Sequence, residues 1–230
     1  MGVLTRRPAA PFDAFTIPWH CAVWASDPSW ANPVADGPVA SWRNGGSFDT
    51  AITATGTARP SYRSSVAALA SRPGVEFDGV ANLMKLETFT LSQPNTRVII
   101  LYRLTNTGQS HFFGGGDGGG RNDMNYSGGG LTYNFYSGTA EITGPVADST
   151  AELVICEFNG ASSSIAKNGG VASSGDSGSL AAGGFVLGGY TAGSNYSNVV
   201  IGFAGLINRL LTASEKSTFL AWSRSFYGTP

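Results

Sequence analysis

Residues 112–130 read FFGGGDGGGRNDMNYSGGG, and more than one chemistry is conceivable there. Gly114, Gly116 and Gly119 match the spacing G-x-G-x-x-G. A dinucleotide site needs a helix directly after such a loop, because the helix N-terminus holds the pyrophosphate. The residues that follow, RNDMNYSGGG, do not start a helix, and no Walker-type lysine follows. Asp117, Asn122 and Asp123 are oxygen donors and the candidates for a metal. Calcium takes roughly six to eight oxygens, and these three lack the spacing of a known loop. The expectation is therefore no metal, no cofactor, and a connection that glycine permits between the strands SHFF and LTYNFY.

Other residues with chemical potential are scattered. GDSGS, residues 175–179, resembles the nucleophile motif of trypsin-like proteases, and His20-Cys21 resembles that family's histidine. Ser179 replaces the second glycine, too little chain precedes His20, and Ser177 sits in the polar turn VASSGDSGSLAAGG, so the protease reading is rejected. His111, beside Phe112 and Phe113, reads as a half-buried strand histidine, and two distant histidines make no zinc site. Glycosidases need two carboxylates flanking one bond. Glu152 and Glu157 lie five apart on one strand and point to opposite faces. Glu76 and Asp78 flank a tight turn. The stretch E-x-D-x-x-E of sandwich-fold glucanases is absent, and the expectation is that the protein is not an enzyme.

The rest of the chain says what must hold these residues. Charged residues make up 13% and apolar residues 42%, so Ser, Thr, Asn and Gly must build much of the surface. The net charge of −1 supplies no field for nucleic acid or a membrane surface. No apolar run is long enough for a transmembrane helix, and no apolar h-region follows the first arginines, so a signal peptide is not expected. Cys156 lies in an apolar run and reads as a small hydrophobe, while a Cys21–Cys156 pair stays open. From residue 39 strands follow one another: VASW, TAITAT, GVEFDG, LMKLETFTL, TRVIILYRL, LTYNFY, AELVICEF, FVLGGY and VVIGFAGLINRLL. TRVIILYRL and AELVICEF are apolar on both faces, as central strands covered twice would be. In LTYNFY, Tyr133 and Phe135 share one face, Asn134 and Tyr136 the other. Asn168-Gly169 signals a hairpin. Thr212 and Glu215 form a capping box that opens one helix, with Phe219, Leu220 and Trp222 as its apolar stripe. The predicted fold is all-β: an antiparallel two-sheet sandwich with one short C-terminal helix, spanning residues 20–230 behind an extended arm, residues 1–19.

Several stretches in order resemble the concanavalin A-like lectin/glucanase superfamily, in its laminin-G-like branch. VWASDPSW with DGPVASWRNGGS is similar to the family's opening, ARPSY to the segment after it, and GVEFDGVANLMKL to its core strand. KNGG, FVLGGY and GFAGLINRLLTASEKSTFLAWSRSFYG are similar to its closing hairpin, strand and helix. The resemblance implies a jelly-roll. The superfamily's glucanase carboxylates and legume-lectin metal ligands have no counterparts here.

Standalone domains of this type resemble minor tail proteins or capsid decorations of tailed bacteriophages. The resulting expectation is a non-enzymatic virion structural and adhesive protein, assembled in the host cytoplasm. Arg6, Arg7, Phe12, Phe15 and Trp19 on the arm would dock it onto other virion proteins or copies of itself, on head or tail. The alternative is a lectin-like module that binds host-surface glycans, with Tyr126, Asn134 and Tyr136 lining its face. The second alternative is a glycoside hydrolase.

Overall fold

The computed structural model describes residues 17–26, 36–48, 50–54, 58–86, 89–104, 110–115, 122–126, 132–190 and 194–230. Within them the protein is an antiparallel two-sheet sandwich with one α-helix. Sheet A is centred on β7 (Asn95–Arg103), which pairs on one side with β12 (Ala151–Phe158) and on the other with β16 (Asn198–Ile207). Beyond β12 come β13 (Ser163–Lys167) and β14 (Ser173–Gly175). Beyond β16 come β5 (Arg72–Asp78) and β4 (Ser61–Val66). β1 (Cys21–Trp24) pairs with the second half of β16.

Sheet B runs in the order β11 (Ile142–Val146), β10 (Thr132–Tyr136), β9 (Asp123–Tyr126), β8 (Ser110–Gly114), β15 (Phe185–Leu187), β6 (Met84–Leu86), β3 (Ile52–Ala54) and β2 (Ser41–Trp42).

Alternation along the central strands sets the layers. Ile99, Leu101, Val154 and Cys156 point between the sheets, where they meet Phe112, Phe113, Tyr133 and Phe135 of sheet B. Val98, Ile100, Leu153 and Phe203 point the other way, into a second core under the helix. Apolarity on both faces thus has its predicted cause. Both cysteines are buried and free, and burial pushes the Cys21 thiol up to about 12. Asn168 and Gly169 take the positive φ values of 52° and 75° that the Asn-Gly turn requires.

Helix α1 (Ala213–Tyr227) starts where the sequence places it. The Glu215 N–H donates to Thr212 Oγ1, and the Thr212 N–H donates to Glu215 Oε2 at 2.8 Å. Gly228, at φ 69°, ends it in the left-handed conformation that glycine adopts without strain. Phe219 packs edge-on against Trp19, and Tyr227 Oη donates to the Gly202 carbonyl at 2.9 Å. Trp19, expected on a docking arm, is buried instead between Phe203 and Phe219, because its large apolar ring completes the second core. Arg6, Arg7, Phe12 and Phe15 lie outside the described residues.

Arg209 donates to Glu215 through both terminal guanidinium nitrogens, at 2.9 and 2.6 Å. That pair, with the capping N–H, lowers the Glu215 carboxyl to about 2. A depressed carboxyl stabilises the fold above its unfolded value of about 4.3, and the contribution fades as pH falls toward the folded value. Glu215→Gln should therefore melt below the parent protein at pH 6. The gap should close between roughly pH 5 and pH 2, as read by circular dichroism melts across that range.

Candidate functional site

Three adjoining strands of sheet B carry an unusual outer face. Tyr133 and Phe135 point into the core, so Thr132, Asn134 and Tyr136 point out. The register sets Asn134 against Asn125, and Asn125 against His111. It also sets Tyr136 against Asp123, and carries Tyr136 on to Glu141, one step beyond the Phe135–Ile142 pair. Two polar rows result, about 7 Å apart along the strands. The first is His111–Asn125–Asn134. The second is Asp123–Tyr136–Glu141.

The middle of this face is buried and its margin open. His111, Asp123, Asn125 and Asn134 are each no more than 3% exposed, while Tyr136 is half-buried and Glu141 exposed. Asn125 Nδ2 donates to Glu141 Oε1 at 2.9 Å. His111 Nδ1 lies 3.9 Å from Asp123 Oδ2, and the imidazole packs 5.2 Å from the Tyr190 ring. The Oδ1 atoms of Asn125 and Asn134 are buried, and no described residue donates to either. An unpaired buried acceptor costs about 1–3 kcal/mol, so two of them on one face are costly unless a donor arrives.

Gly114 extends the second row past Asp123 toward Val186. A Cβ there would stand 3.3 Å from Asp123 Oδ1. The glycine keeps the floor beside this carboxylate low. The middle of the face holds two amide acceptors and the Asp123 carboxyl out of contact with solvent, and its margin opens at Tyr136 and Glu141.

Other residues considered from the sequence are placed elsewhere. Tyr126 pairs with Tyr133 and so shares its inward face, packed 4.9 Å from Phe112 and buried. It does not join Asn134 and Tyr136. Asn122 is fully buried and donates to Ser137 Oγ at 2.6 Å and the Leu180 carbonyl at 3.0 Å, which ties β9 to the 177–180 turn. Asp123 faces outward beside His111. Asp117 lies outside the described residues. No three His, Cys, Asp or Glu side chains cluster as metal ligands among the described residues. Ser177 donates to Ser163 Oγ at 2.9 Å and is buried. Glu76 binds Arg63, and Asp78 Oδ1 caps the N–H groups of Val80, Ala81 and Asn82.

Glu152 points inward and Glu157 outward, as five-residue spacing demands. Glu152 accepts from buried Tyr133 and lies 3.0 Å from Lys167 Nζ. Burial raises its carboxyl above the usual range. This network joins the two sheets and is closed to solvent at Tyr133 and Glu152.

No protein-family profile and no curated protein sequence matches this chain. Solved structures do. The chain is similar to Trypanosoma rangeli sialidase in complex with the inhibitor DANA, with a TM-score of 0.59 and 16% identity over 93% of this chain and 34% of that one. A mutant of the same sialidase displaying trans-sialidase activity gives 0.62 and 15% over the same shares. A GH54 α-L-arabinofuranosidase soaked with a cyclic sulfate inhibitor gives 0.63 and 10% over 83% of this chain and 51% of that one. The chain therefore spans about a third to a half of the structures it matches. At these identities the likeness shows the fold, a two-sheet sandwich consistent with the jelly-roll type. The expectations of a virion structural protein and of a non-enzyme are corrected, because these neighbours are sialidases and an arabinofuranosidase.

If the Asn134 oxygen awaits a ligand, the empty protein bears its cost. Asn134→Leu, of similar shape, should leave the unliganded fold as stable or raise its melting midpoint by about 2–4 °C. A fall in that midpoint, read by calorimetry, would assign the amide a structural bond instead.

Proposed function

We propose that this chain is a carbohydrate-acting sandwich of the glycoside hydrolase kind, which receives a sugar on the outer face of sheet B. The observation that carries the reading is the row Asp123–Tyr136–Glu141, in which two carboxyls flank an aromatic ring beside two buried acceptors that have no donor among the described residues. Sugar sites combine an aromatic face for the C–H side of the ring with a few aimed polar groups. Asn125 and Asn134 accept from hydroxyls, and Tyr136 supports the ring.

Glycosidic cleavage generally needs one group to protonate the leaving oxygen and one to act on the opposite face of the sugar. Asp123 and Glu141 stand two strand spacings apart, about 9.6 Å at the backbone. Inverting glycosidases leave room for a water between sugar and base. Exposed Glu141 suits the activation of that water. Asp123, 3.9 Å from His111 Nδ1, supplies the second carboxyl across Tyr136. The laminin-G-like resemblance and the similarity to sialidase and arabinofuranosidase structures support a sugar as the ligand.

The modest share of the sialidase that the chain matches favours a second reading, a sugar-binding module of such an enzyme.

Both readings are tested with 4-nitrophenyl α-L-arabinofuranoside, a fluorogenic sialoside and a panel of other aryl glycosides. The hydrolase reading expects turnover that falls by about 10²-fold or more in Asp123→Asn and Glu141→Gln. Binding without turnover, lost in Asn134→Ala, selects the module. Neither binding nor turnover would sink both, and turnover unchanged in the two carboxyl variants would remove Asp123 and Glu141 from the chemistry.

A further inference from the structure

A second recess lies on the opposite side of the molecule, where the hairpin joining β13 to β14 meets the first turns of α1. It encloses about 280 Å³. Its floor is apolar, formed by Leu153, Ile155 and Leu220. Its wall holds Glu157 and Lys216. Gly169 and Gly170 form its lip. A Cβ at Gly169 would stand 2.4 Å from Leu220 Cδ2, so any side chain there would strike the floor.

The polar wall is unequally satisfied. Glu157 Oε2 accepts from Lys216 Nζ at 2.7 Å and from Ser164 Oγ at 3.2 Å. Glu157 Oε1 is buried and has no donor among the described residues. The residue as a whole is 8% exposed. A carboxylate oxygen in that state can accept from a further hydrogen-bond donor. The donor must be neutral, because Lys216 already balances the charge of Glu157, and a second cation would be repelled at close range. It must sit on a ring or chain with an apolar side, because the floor offers no polar group.

We propose that this recess is a second ligand site, which takes a neutral hydroxylated ring of monosaccharide size. One hydroxyl donates to Glu157 Oε1, the C–H face lies on Leu153, Ile155 and Leu220, and the Lys216 ammonium donates to a second oxygen. The volume falls at the lower edge of small-ligand pockets, about 300 Å³. The site shares no residue with the outer face of sheet B and stands whether or not that face binds sugar.

The test is amide chemical-shift mapping with neutral methyl pyranosides (glucoside, galactoside, mannoside and xyloside) and with glucosamine as the cationic control. At least one neutral pyranoside should shift Gly169, Gly170 and Ser217. Glucosamine should not shift them in the parent protein, and should in Lys216→Met, which removes the balancing cation from the helix surface. Ala172→Trp, placed at the exposed rim, should weaken the neutral ligand by at least about tenfold, a loss of some 1.4 kcal/mol, while leaving shifts at Asn134 and Tyr136 intact. Three results would overturn the proposal: no pyranoside moves the three amides, the shifts persist unchanged in Ala172→Trp, or glucosamine binds the parent protein as well as the neutral sugars do. Loss of sugar binding at sheet B alone bears only on the reading proposed for that face.

Discussion

The central strands of sheet A are apolar on both faces, and that constraint orders the rest of the molecule. β7, β12 and β16 cannot meet water on either side. One side is closed by sheet B. The other is closed by α1 together with Trp19. Sheet B then has only one face committed to the core. Its other face is free to hold polar groups that would be intolerable in sheet A, and Asn125, Asn134 and Asp123 are there for that reason. The candidate chemistry is a by-product of which sheet carries the double burden.

Three charged side chains cross the gap between the sheets and fix how they stack. Arg97 of β7 donates to the Phe113 carbonyl of β8 at 3.2 Å, and its guanidinium lies over the Phe113 and Phe158 rings. Burial lowers it to about 10, which outweighs the opposing influence of Asp123. Arg103, also of β7, reaches the Ala147 carbonyl and covers the Tyr126 ring. Glu152 of β12 meets Tyr133 of β10. Apolar packing alone would let two flat layers slide. Directional bonds from buried charges do not, since breaking one leaves a charge stranded in a medium of low dielectric.

Much of this was legible in the sequence because it is local. The capping box of Thr212 and Glu215, the Asn168-Gly169 turn and the two-faced central strands depend on neighbours within a few residues. Asn134 and Tyr136 sharing an outer face followed from alternation alone. What was not legible depends on pairing between strands. Tyr126 joins the inward face because its partner in register is Tyr133, and a bulge between His111 and Phe113 shifts the next strand again. Glu141 carries no signal in the polar stretch SGTAEITG, and becomes a neighbour of Asn125 only when β11 folds against β10. His111 was read as an ordinary strand histidine, and only the sheet brings Asp123 to it. Trp19 was assigned to an extended docking arm because the prolines around it are informative and the hydrophobic surface it covers is distant in sequence.

β16 has a further consequence. It lies between β7 and β5, while its second half also receives β1, so sheet A consists of separate fragments until this strand is inserted. Its residues follow all the other strands in the chain. A ribosome therefore releases most of both layers before the piece that joins them exists, and the half-built sheet waits with open hydrogen-bonding edges. Closure of distant segments of this kind makes folding slow and leaves nascent chains prone to pair with one another. At Gly202 the strand shifts register, and the Tyr227 hydroxyl from the helix that follows donates to the Gly202 carbonyl.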